Sequence, residues 1–275
     1  MPDICFINGR YQSIKKAVRA DDIGILRGYG AFDYIRTYGE RFFLIDKHID
    51  RLFSSAKKLN LNIDLSRKKI KDIAYELKER NGLEECAVRL IITGGKTIES
   101  RDYEGATFIA LCQKIKSPPE EYYKSGVELL TLNYQRSLPE VKHNNYLLPV
   151  SKKERLKKED KFDFLYVSEE AVLEAVTSNF FLIKNKKIIT PKSGILKGTT
   201  RATVIDLVKD RFDFEERRID PEEIKDADEA FLTSTSKEVL PVVGVDDFKI
   251  GSGEVGRVTK KVTQLFKKKV ENFKE

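Results

Sequence analysis

Two consecutive prolines, Pro118 and Pro119, interrupt the chain in the run KSPP. Proline has no backbone N–H and a fixed φ, so the pair ends the preceding strand and stiffens the connection that follows. The chain has 275 residues, which is about two domains at a usual size of roughly 150 residues each. We therefore predict a smaller N-terminal α/β domain over residues 1–117, a linker over 118–121 and a larger C-terminal domain over 122–275.

Hydrophobic periodicity on both sides of this boundary predicts a mixed α/β fold. In the first domain it favours short strands before residue 46. Helices follow, over 46–59 with Asp46 as N-cap and over 66–80 from Ser66, and then strands over 86–93 and 107–113. In the second domain the predicted strands are 127–133, 162–167, a hairpin pair within 171–183, 187–190 and 229–235. The predicted helices there are 145–158, 199–211 and an amphipathic C-terminal helix from Glu254.

The composition leaves several classes of protein without support. The formal charge is +7 and the pI is near 9.0, but no basic stretch is interleaved with aromatic residues, so nucleic-acid binding is not favoured. No apolar run approaches the roughly 18 residues that span a bilayer, and the N-terminus lacks a secretory signal pattern. Three well-separated cysteines, Cys5, Cys86 and Cys112, indicate buried thiols in a reducing cytoplasm.

Three features resemble known sites but lack the context that those sites need. GSGEVG at 251–256 matches the dinucleotide fingerprint, but too little chain follows it for the required βαβ unit. TGGKT at 93–97 resembles the end of a P-loop, but Leu90 stands where the leading glycine belongs, which favours a turn after a strand. With only His48 and His143 and no cysteines close in sequence, a metal site is not predicted.

One lysine differs from the other lysines of the chain in its surroundings. Lys142 lies in SLPEVKHNNYLLP, between the apolar Val141 and a polar stretch. A lysine that reacts with a carbonyl group must lose its proton near neutral pH, through desolvation or neighbouring positive charge. If its partner is pyridoxal 5'-phosphate, the protein must also supply a phosphate cradle, an acid that keeps the pyridine nitrogen protonated and a clamp for the ring.

The sequence offers candidates for these requirements. Thr199 and Thr200 begin a predicted helix, where free N–H groups and the helix dipole favour an anion. TSTS at 233–236 ends an apolar strand and adds hydroxyl groups. Arg51 lies one turn into the first long helix and can pair with phosphate. Glu174 is an acid inside an apolar strand, where an acid usually has a partner or a function. Each of these residues taken singly is a weak signal.

Taken together, the motifs resemble the class IV, fold type IV aminotransferases. This family uses pyridoxal 5'-phosphate and includes branched-chain aminotransferases, D-amino acid transaminases and aminodeoxychorismate lyases. The resemblance runs from about Ile7 to Phe266. It rests on GYGAFDYIRTYGERFFLIDKHIDRLFSSAKKL, the spacing from Lys142 to Glu174, SNFFLIKNKKIIT, ILKGTTR, RRIDPEEIKDADEAFLTSTSKEVLPV and DDFKIGSGEVGRVTKKV.

The resemblance implies a role for each candidate residue. Lys142 would bind the cofactor covalently, and Glu174 would pair with its pyridine nitrogen. Leu196 would pack on the cofactor ring, Tyr146 would bond its phenolic oxygen, and Asn179 would orient the site. The implied phosphate ligands are Arg51, Thr199, Thr200 and Thr235, with Ser234 as a further candidate. A homodimer is implied as well, because in this family the pocket borrows residues from a second subunit.

The substrate is where this chain departs from the best-known members. Branched-chain enzymes typically read F-E-G-x-R, whereas FDYIR here has Asp33 for Glu and the bulky Tyr34 for Gly. Typical D-amino acid transaminases grip the α-carboxylate with R-x-H, whereas the nearest run here is SRDY at 100–103, which has no histidine. Arginines in a glycine-flanked turn and in an apolar strand are replacements, because such arginines usually face an anion. The candidate substrate-binding residues are Arg27, Phe32, Tyr34, Arg89 and Ser236.

LRGYGAFDY together with EVKHNNY is most similar to a D-amino acid transaminase-like branch that lacks the usual carboxylate grip. This resemblance favours a D-amino acid:2-oxoglutarate aminotransferase that acts on D-glutamate or D-alanine. A branched-chain L-amino acid aminotransferase is the second hypothesis. An aminodeoxychorismate lyase is the third, because Tyr146 stands where lyases commonly have arginine. From a different class, a basic binding protein without cofactor, for example for RNA, is the remaining alternative.

Overall fold

The structure, a computed structural model, describes residues 3–16, 18–99 and 102–273. The chain divides into two compact units. The first comprises the residues up to Lys116 together with Val141–Asn145, and the second comprises Ser117–Glu140 and Tyr146–Lys274. The segment that carries Lys142 therefore belongs to the first unit, although it follows the proline pair in sequence.

The first unit is built on an antiparallel sheet. Its strands are β1 (Ile4–Ile7), β2 (Arg10–Ser13), β3 (Gly30–Tyr38), β4 (Arg41–Phe42), β5 (Ala87–Thr93), β6 (Lys96–Thr97), β7 (Tyr103–Glu104) and β8 (Thr107–Gln113). Its α-helices are α1 (Ile23–Arg27), α2 (Ile45–Lys58) and α3 (Arg67–Arg80). Six strands form one sheet in the order β2-β1-β8-β5-β3-β4, and β6 pairs with β7.

The two long helices α2 and α3 cover one face of this sheet. Their apolar residues recur every three or four positions, and strand residues alternate between faces, so both patterns meet in one core. Ile35, Leu90, Ile49 and Ile73 are fully buried there, and burying a side chain of this size stabilises the fold by roughly 1.5–3 kcal/mol. The opposite face of the sheet is thus left to the alternate residues of β3 and β5.

The beginning of the first unit differs from the sequence prediction. Residues 23–27 form one helical turn rather than a strand, because the Asp22 carboxylate accepts the Gly24 N–H and Gly28 ends the helix at φ 67°. Asp46 is not the N-cap of α2, since the helix begins directly after Leu44, which lies at φ 51°. The prediction for α3 is confirmed, because Ser66 caps it by accepting the Lys69 N–H.

The second unit contains a closed ring of strands. Its strands are β9 (Val127–Asn133), β10 (Asp163–Val167), β11 (Val172–Ala175), β12 (Ser178–Lys184), β13 (Lys187–Pro191), β14 (Phe214–Arg217), β15 (Glu229–Ser234), β16 (Glu238–Val245) and β17 (Phe248–Lys249). Six of these strands form the ring in the order β11-β10-β9-β16-β15-β12, and β12 also pairs with β11, which closes it. Strands β13 and β14 continue from β12, and β17 pairs with β16. The helices are α4 (Glu120–Ser125), α5 (Leu147–Ser151), α6 (Lys153–Lys158), α7 (Thr199–Val208) and α8 (Arg257–Glu271).

Most predicted elements of the second unit are confirmed, with one correction. The helix expected over 145–158 is two short helices, α5 and α6, which are separated at Lys152. The GSGEVG run is the turn before α8, as predicted, and the three cysteines are buried free thiols. Within the described ranges, no helix combines the length and apolar character needed to cross a membrane. Among the same residues, no three His, Cys, Asp or Glu side chains form a group that could hold a metal ion.

Candidate active site

Lys142 is fixed against strand β3 of the first unit. Its backbone N–H donates to Oγ of Ser55 on α2 at 3.1 Å, and its carbonyl accepts the Phe32 N–H at 2.9 Å. Two residues on, the Asn144 N–H donates to the Gly30 carbonyl at 3.2 Å. The segment around Lys142 therefore pairs with the start of β3, so its backbone is held by the sheet as well as by a helix.

The Phe32 ring lies close to two cationic side chains. Nζ of Lys142 is 4.6 Å from the ring centroid, and Cζ of Arg89 is 5.2 Å from the same centroid. The Tyr34 ring is 5.4 Å from Cζ of Arg89. Phe32 and Tyr34 are two residues apart on β3, so their side chains lie on the same face of the sheet, and Arg89 on β5 is directly opposite Tyr34. This face therefore brings three predicted substrate residues next to the predicted catalytic lysine.

Arg51 is held by Asp33, which lies between Phe32 and Tyr34 in sequence and points to the other face of the sheet. Oδ2 of Asp33 accepts Nε of Arg51 and Oδ1 accepts Nη2, both at 2.8 Å. Oδ1 is also 2.7 Å from Nδ1 of His48. The predicted phosphate ligand is therefore already paired through two of its nitrogens, which leaves Nη1 and the remaining Nη2 hydrogen.

The charge state of this cluster follows from its burial. Burial alone raises the pKa of Asp33, but the charge of Arg51 and the hydrogen bonds of Arg51 and His48 outweigh it, so this pKa lies well below its usual range. Burial lowers the pKa of His48, with Arg51 and Lys142 acting in the same direction. The imidazole is then neutral at pH 7 and donates its Nδ1–H to the carboxylate. Nη2 of Arg51, 3.3 Å from Nδ1, is a close neighbour rather than a donor to it.

In the second unit, Glu174 is the centre of a buried network. Its side chain is 7 % exposed, and its Oε1 is 2.9 Å from both Nε and Nη2 of Arg136. Arg136 was not predicted as a site residue, and the only signal was a single arginine after the apolar strand β9. Nη2 of Arg136 also donates to the Pro139 carbonyl, which ties the network to the chain before Lys142.

Asn179 joins Glu174 to the loop before α7. Oε2 of Glu174 accepts Nδ2 of Asn179 at 3.2 Å and the Leu196 N–H at 3.1 Å. The same Nδ2 donates to the Leu196 carbonyl. Asn179 and Glu174 are directly opposite in the β11–β12 hairpin, so the strand register brings them together. The structure therefore brings Glu174, Asn179 and Leu196 together in one hydrogen-bonded network.

The N-terminus of α7 has the properties of an anion site. Gly198 is its N-cap and has no side chain that could cap the free N–H groups, and Thr199 and Thr200 are buried beside it. Helix α7 packs on β15, which ends at Ser234. Within that strand the buried Oγ1 of Thr233 has no hydrogen-bond partner among the described residues. A phosphate group fits an uncapped helix N-terminus lined by hydroxyl groups.

Replacing Gly198 with alanine should loosen this part of the site. A Cβ there would overlap Oδ1 of Asn179, so the amide must move from Glu174 and Leu196. We expect a loss of about 1–3 kcal/mol in unfolding free energy and weaker binding of pyridoxal 5'-phosphate, measured by thermal denaturation and titration. Gly244→Ala is the control, because its nearest neighbour is the flexible side chain of Glu128. Wild-type behaviour of Gly198→Ala in both measurements would refute the expected overlap.

The remaining predicted residues lie in other places. Tyr146 directly precedes α5, and Thr235 and Ser236 follow β15 in the turn to β16. Arg27 is the last residue of α1, is exposed and donates to the Leu26 carbonyl at 2.9 Å. In the SRDY run at 100–103, Ser100 and Arg101 lie outside the described residues.

Comparison with known proteins identifies the family of this arrangement. A family model described as amino-transferase class IV matches residues 30–245, which include both the Lys142 and the Glu174 clusters. The chain belongs to the class IV aminotransferases. The family and the fold type predicted from the sequence are thus confirmed.

Relatives of this aminotransferase carry different substrate names. A Methanocaldococcus jannaschii protein provisionally named a branched-chain-amino-acid aminotransferase is 33 % identical, over 95 % of this chain and 94 % of its own. The D-alanine aminotransferase of Bacillus licheniformis is 32 % identical, over 93 % of each chain. The aminodeoxychorismate lyase of Bacillus subtilis is 30 % identical, over 98 % of this chain and 95 % of its own. Sequence similarity therefore identifies the family and not the substrate.

A solved structure confirms the fold of this aminotransferase. The T.th. branched-chain amino acid aminotransferase, determined with pyridoxamine 5'-phosphate, superposes with a TM-score of 0.91 over 98 % of this chain and 94 % of its own, at 24 % identity. Class IV aminotransferases depend on pyridoxal 5'-phosphate, so the predicted cofactor and enzyme class are confirmed. The uncapped α7 N-terminus and the buried acid Glu174 fit this cofactor.

Proposed function

We propose that this class IV aminotransferase transfers an amino group between a D-amino acid, D-glutamate or D-alanine, and 2-oxoglutarate. The observation that carries the proposal is the position of Arg89. Its guanidinium contacts the same aromatic ring as Nζ of Lys142, and no carboxylate of the described residues lies within 4 Å of it. A half-buried arginine without an ion pair is suited to bind the carboxylate of a substrate.

The cofactor roles we propose follow the two clusters. Lys142 is the lysine that binds the cofactor, Glu174 faces its ring nitrogen, and Asn179 holds Glu174 in place. Leu196 contacts the ring and Tyr146 its phenolic oxygen. The proposed phosphate ligands are Arg51, Thr199, Thr200, Ser234 and Thr235. Support comes from the buried network around Glu174 and from the uncapped helix that begins at Thr199.

When bound, pyridoxal 5'-phosphate supplies an aldehyde that condenses with amines and a ring that accepts the electrons released at Cα. The side chains of this protein supply the proton transfers. Lys142 takes the proton from Cα of the substrate and later returns one, acting as base and then as acid. The Glu174 carboxylate, held by Arg136, keeps a proton on the ring nitrogen. Arg89 holds the substrate carboxylate, so that Cα–H faces Lys142.

The side of the sheet that carries Tyr34 favours D-amino acids over branched-chain L-amino acids. The Tyr34 ring occupies space that a glycine would leave open, and it lies against Arg89. Phe32 packs on the other cationic neighbour, Lys142. Ser236, in the turn after β15, is a further proposed substrate contact. The name of the Bacillus licheniformis relative supports the choice, whereas that of the Methanocaldococcus jannaschii relative supports the branched-chain alternative.

The absorption spectrum of the holoenzyme tests this choice of substrate. D-glutamate, D-alanine and L-leucine are added separately, and the band of the lysine-bound cofactor is followed. We expect D-glutamate or D-alanine to remove the band at concentrations where L-leucine leaves it unchanged. Arg89→Gln should raise the concentration of D-amino acid needed by about tenfold or more, since it removes a charged hydrogen bond. A response to L-leucine alone would instead establish the branched-chain function.

We also propose that the enzyme is a cytoplasmic homodimer in which Arg27 faces the substrate site of the second subunit. Ile25 and Leu26, beside Arg27 on α1, are 58 % and 45 % exposed. Large apolar side chains exposed near one another are typical of an interaction surface. Three buried free thiols suit a reducing compartment.

A further inference from the structure

Arg89 is held between two aromatic rings of β3. Tyr34 is its direct partner in the β3–β5 register, and Phe32 is one step along the same face. Cζ of Arg89 is 5.2 Å from the Phe32 centroid and 5.4 Å from the Tyr34 centroid. A guanidinium flanked by two rings loses much of its rotational freedom before any ligand binds.

Tyr34 is half-buried on this face of the sheet. Burial raises the pKa of Tyr34, while the charge of Arg89 and a polar contact with the Gln113 side chain oppose this shift. Gln113, at the end of β8, is opposite Ala87, and Ala87 is two residues before Arg89 on β5. The phenol is thus neutral at pH 7, and the charge beside the Tyr34 ring is that of Arg89.

We infer that Tyr34 is a positioning residue that presents Arg89 to the carboxylate of the substrate. The inference rests on the proposed role of Arg89 as the carboxylate-binding residue. A long arginine side chain that is already ordered gives up less conformational entropy when it binds an anion. With glycine at position 34, one side of the guanidinium would have no ring against it. Tyr34 thereby acts on carboxylate binding through Arg89, without itself touching the reacting atoms.

Steady-state kinetics of the holoenzyme with 2-oxoglutarate test this inference. 2-Oxoglutarate has a carboxylate that Arg89 can bind, so the test does not depend on which amino acid the enzyme prefers as donor. Tyr34→Leu removes the ring, and we expect KM for 2-oxoglutarate to rise about tenfold with kcat within about twofold, the size of one cation–π contact. Tyr34→Phe keeps the ring and loses only the phenol oxygen, so KM is expected to stay within about twofold of wild type.

Tyr38 offers a matched control on the same face of β3. Its ring lies 4.2 Å from Cζ of Arg36, so Tyr38→Leu also removes a ring that contacts an arginine. We expect KM for 2-oxoglutarate to stay within about twofold of wild type in Tyr38→Leu. An equal rise in KM in the two leucine variants, or an unchanged KM in Tyr34→Leu, would overturn the positioning role. Thermal denaturation of each variant shows that it is folded.

A double variant separates this inference from the proposed function. If Tyr34 acts through Arg89, Tyr34→Leu should change KM little in an Arg89→Gln background, because the group it orients is gone. If Arg89→Gln leaves KM for 2-oxoglutarate unchanged, the proposed carboxylate role of Arg89 is wrong, and the inference falls with it. If Arg89→Gln raises KM and Tyr34→Leu multiplies it again by the same factor as in wild type, only the positioning role is wrong.

Discussion

Replacement of Lys142 by alanine should abolish nearly all transamination. The variant loses the group that binds the cofactor and the group that moves the Cα proton, and the proton transfer alone is worth up to about 10⁴-fold in rate. The fold should persist, because the hydrogen bonds with Ser55 and Phe32 involve the backbone of Lys142, which alanine keeps. Pyridoxal 5'-phosphate should still bind through its phosphate and ring contacts, but without the absorption band of the lysine-bound form.

The neighbouring Lys152→Ala variant is the control for this experiment. Lys152 is exposed and separates α5 from α6, so the substitution removes a lysine without touching either cluster. It should keep both the absorption band and the activity. Persistence of the band in Lys142→Ala would mean that another lysine binds the cofactor, and our assignment would be wrong.

The sequence alone identified candidate site residues whose chemical type is unusual for their position. Glu174 is an acid in a run of apolar strand residues, and Lys142 precedes a polar turn within a motif that the family shares. The strand pattern also predicts that Glu174 and Asn179 meet, since a short hairpin fixes their register. Such local signals survive without any knowledge of how the elements pack.

Partners that are distant in sequence could not be predicted in the same way. Arg136 is 38 residues from Glu174, and His48 is 15 residues from Asp33. These pairs depend on strand order and on the rotation of α2 about its axis, which one sequence does not specify.

Local conformations explain the secondary-structure predictions that were wrong. Residues 23–27 are rich in apolar side chains, but Asp22 and Gly28 provide both caps of a single helical turn. Leu44 at φ 51° precedes α2 without a side-chain cap, a conformation that β-carbon sterics normally disfavour, and its neighbours Phe43 and Ile45 are both buried. Local caps therefore decided the helical turn at 23–27, whereas no capping signal marks the start of α2.

The second large effect should follow from replacing Asp33 by asparagine. Asp33 is fully buried and is the only acid bonded to both Arg51 and His48 in the described part of the chain. Asparagine has the same shape, but its amide turns a donor toward Arg51 or His48, which are themselves donors. The Arg51 charge is then left partly buried without its partner. We expect the apoprotein to lose about 3–5 kcal/mol of unfolding free energy, measured by urea denaturation.

Two exposed acids on α2, the helix that carries Arg51 and His48, provide controls. Asp46 pairs with Lys71 and Asp50 with Arg67, both at the surface, so Asp46→Asn and Asp50→Asn should each cost about 0–1 kcal/mol. A cost of this size for Asp33→Asn would show that the buried cluster is not what holds Arg51.

The dependence on pH gives this prediction a second, independent measurement. The pKa of Asp33 is lowered in the folded protein, so its contribution to the free energy of unfolding is fully present above its unfolded pKa of about 4. It is lost only as the pH falls from there through the lower folded value, because the unfolded chain then takes up the proton first. The stability difference between wild type and Asp33→Asn should thus be constant from pH 5 to pH 8 and narrow below about pH 4. A difference that instead disappears near pH 6.5 would trace the effect to protonation of His48, whose unfolded pKa lies there.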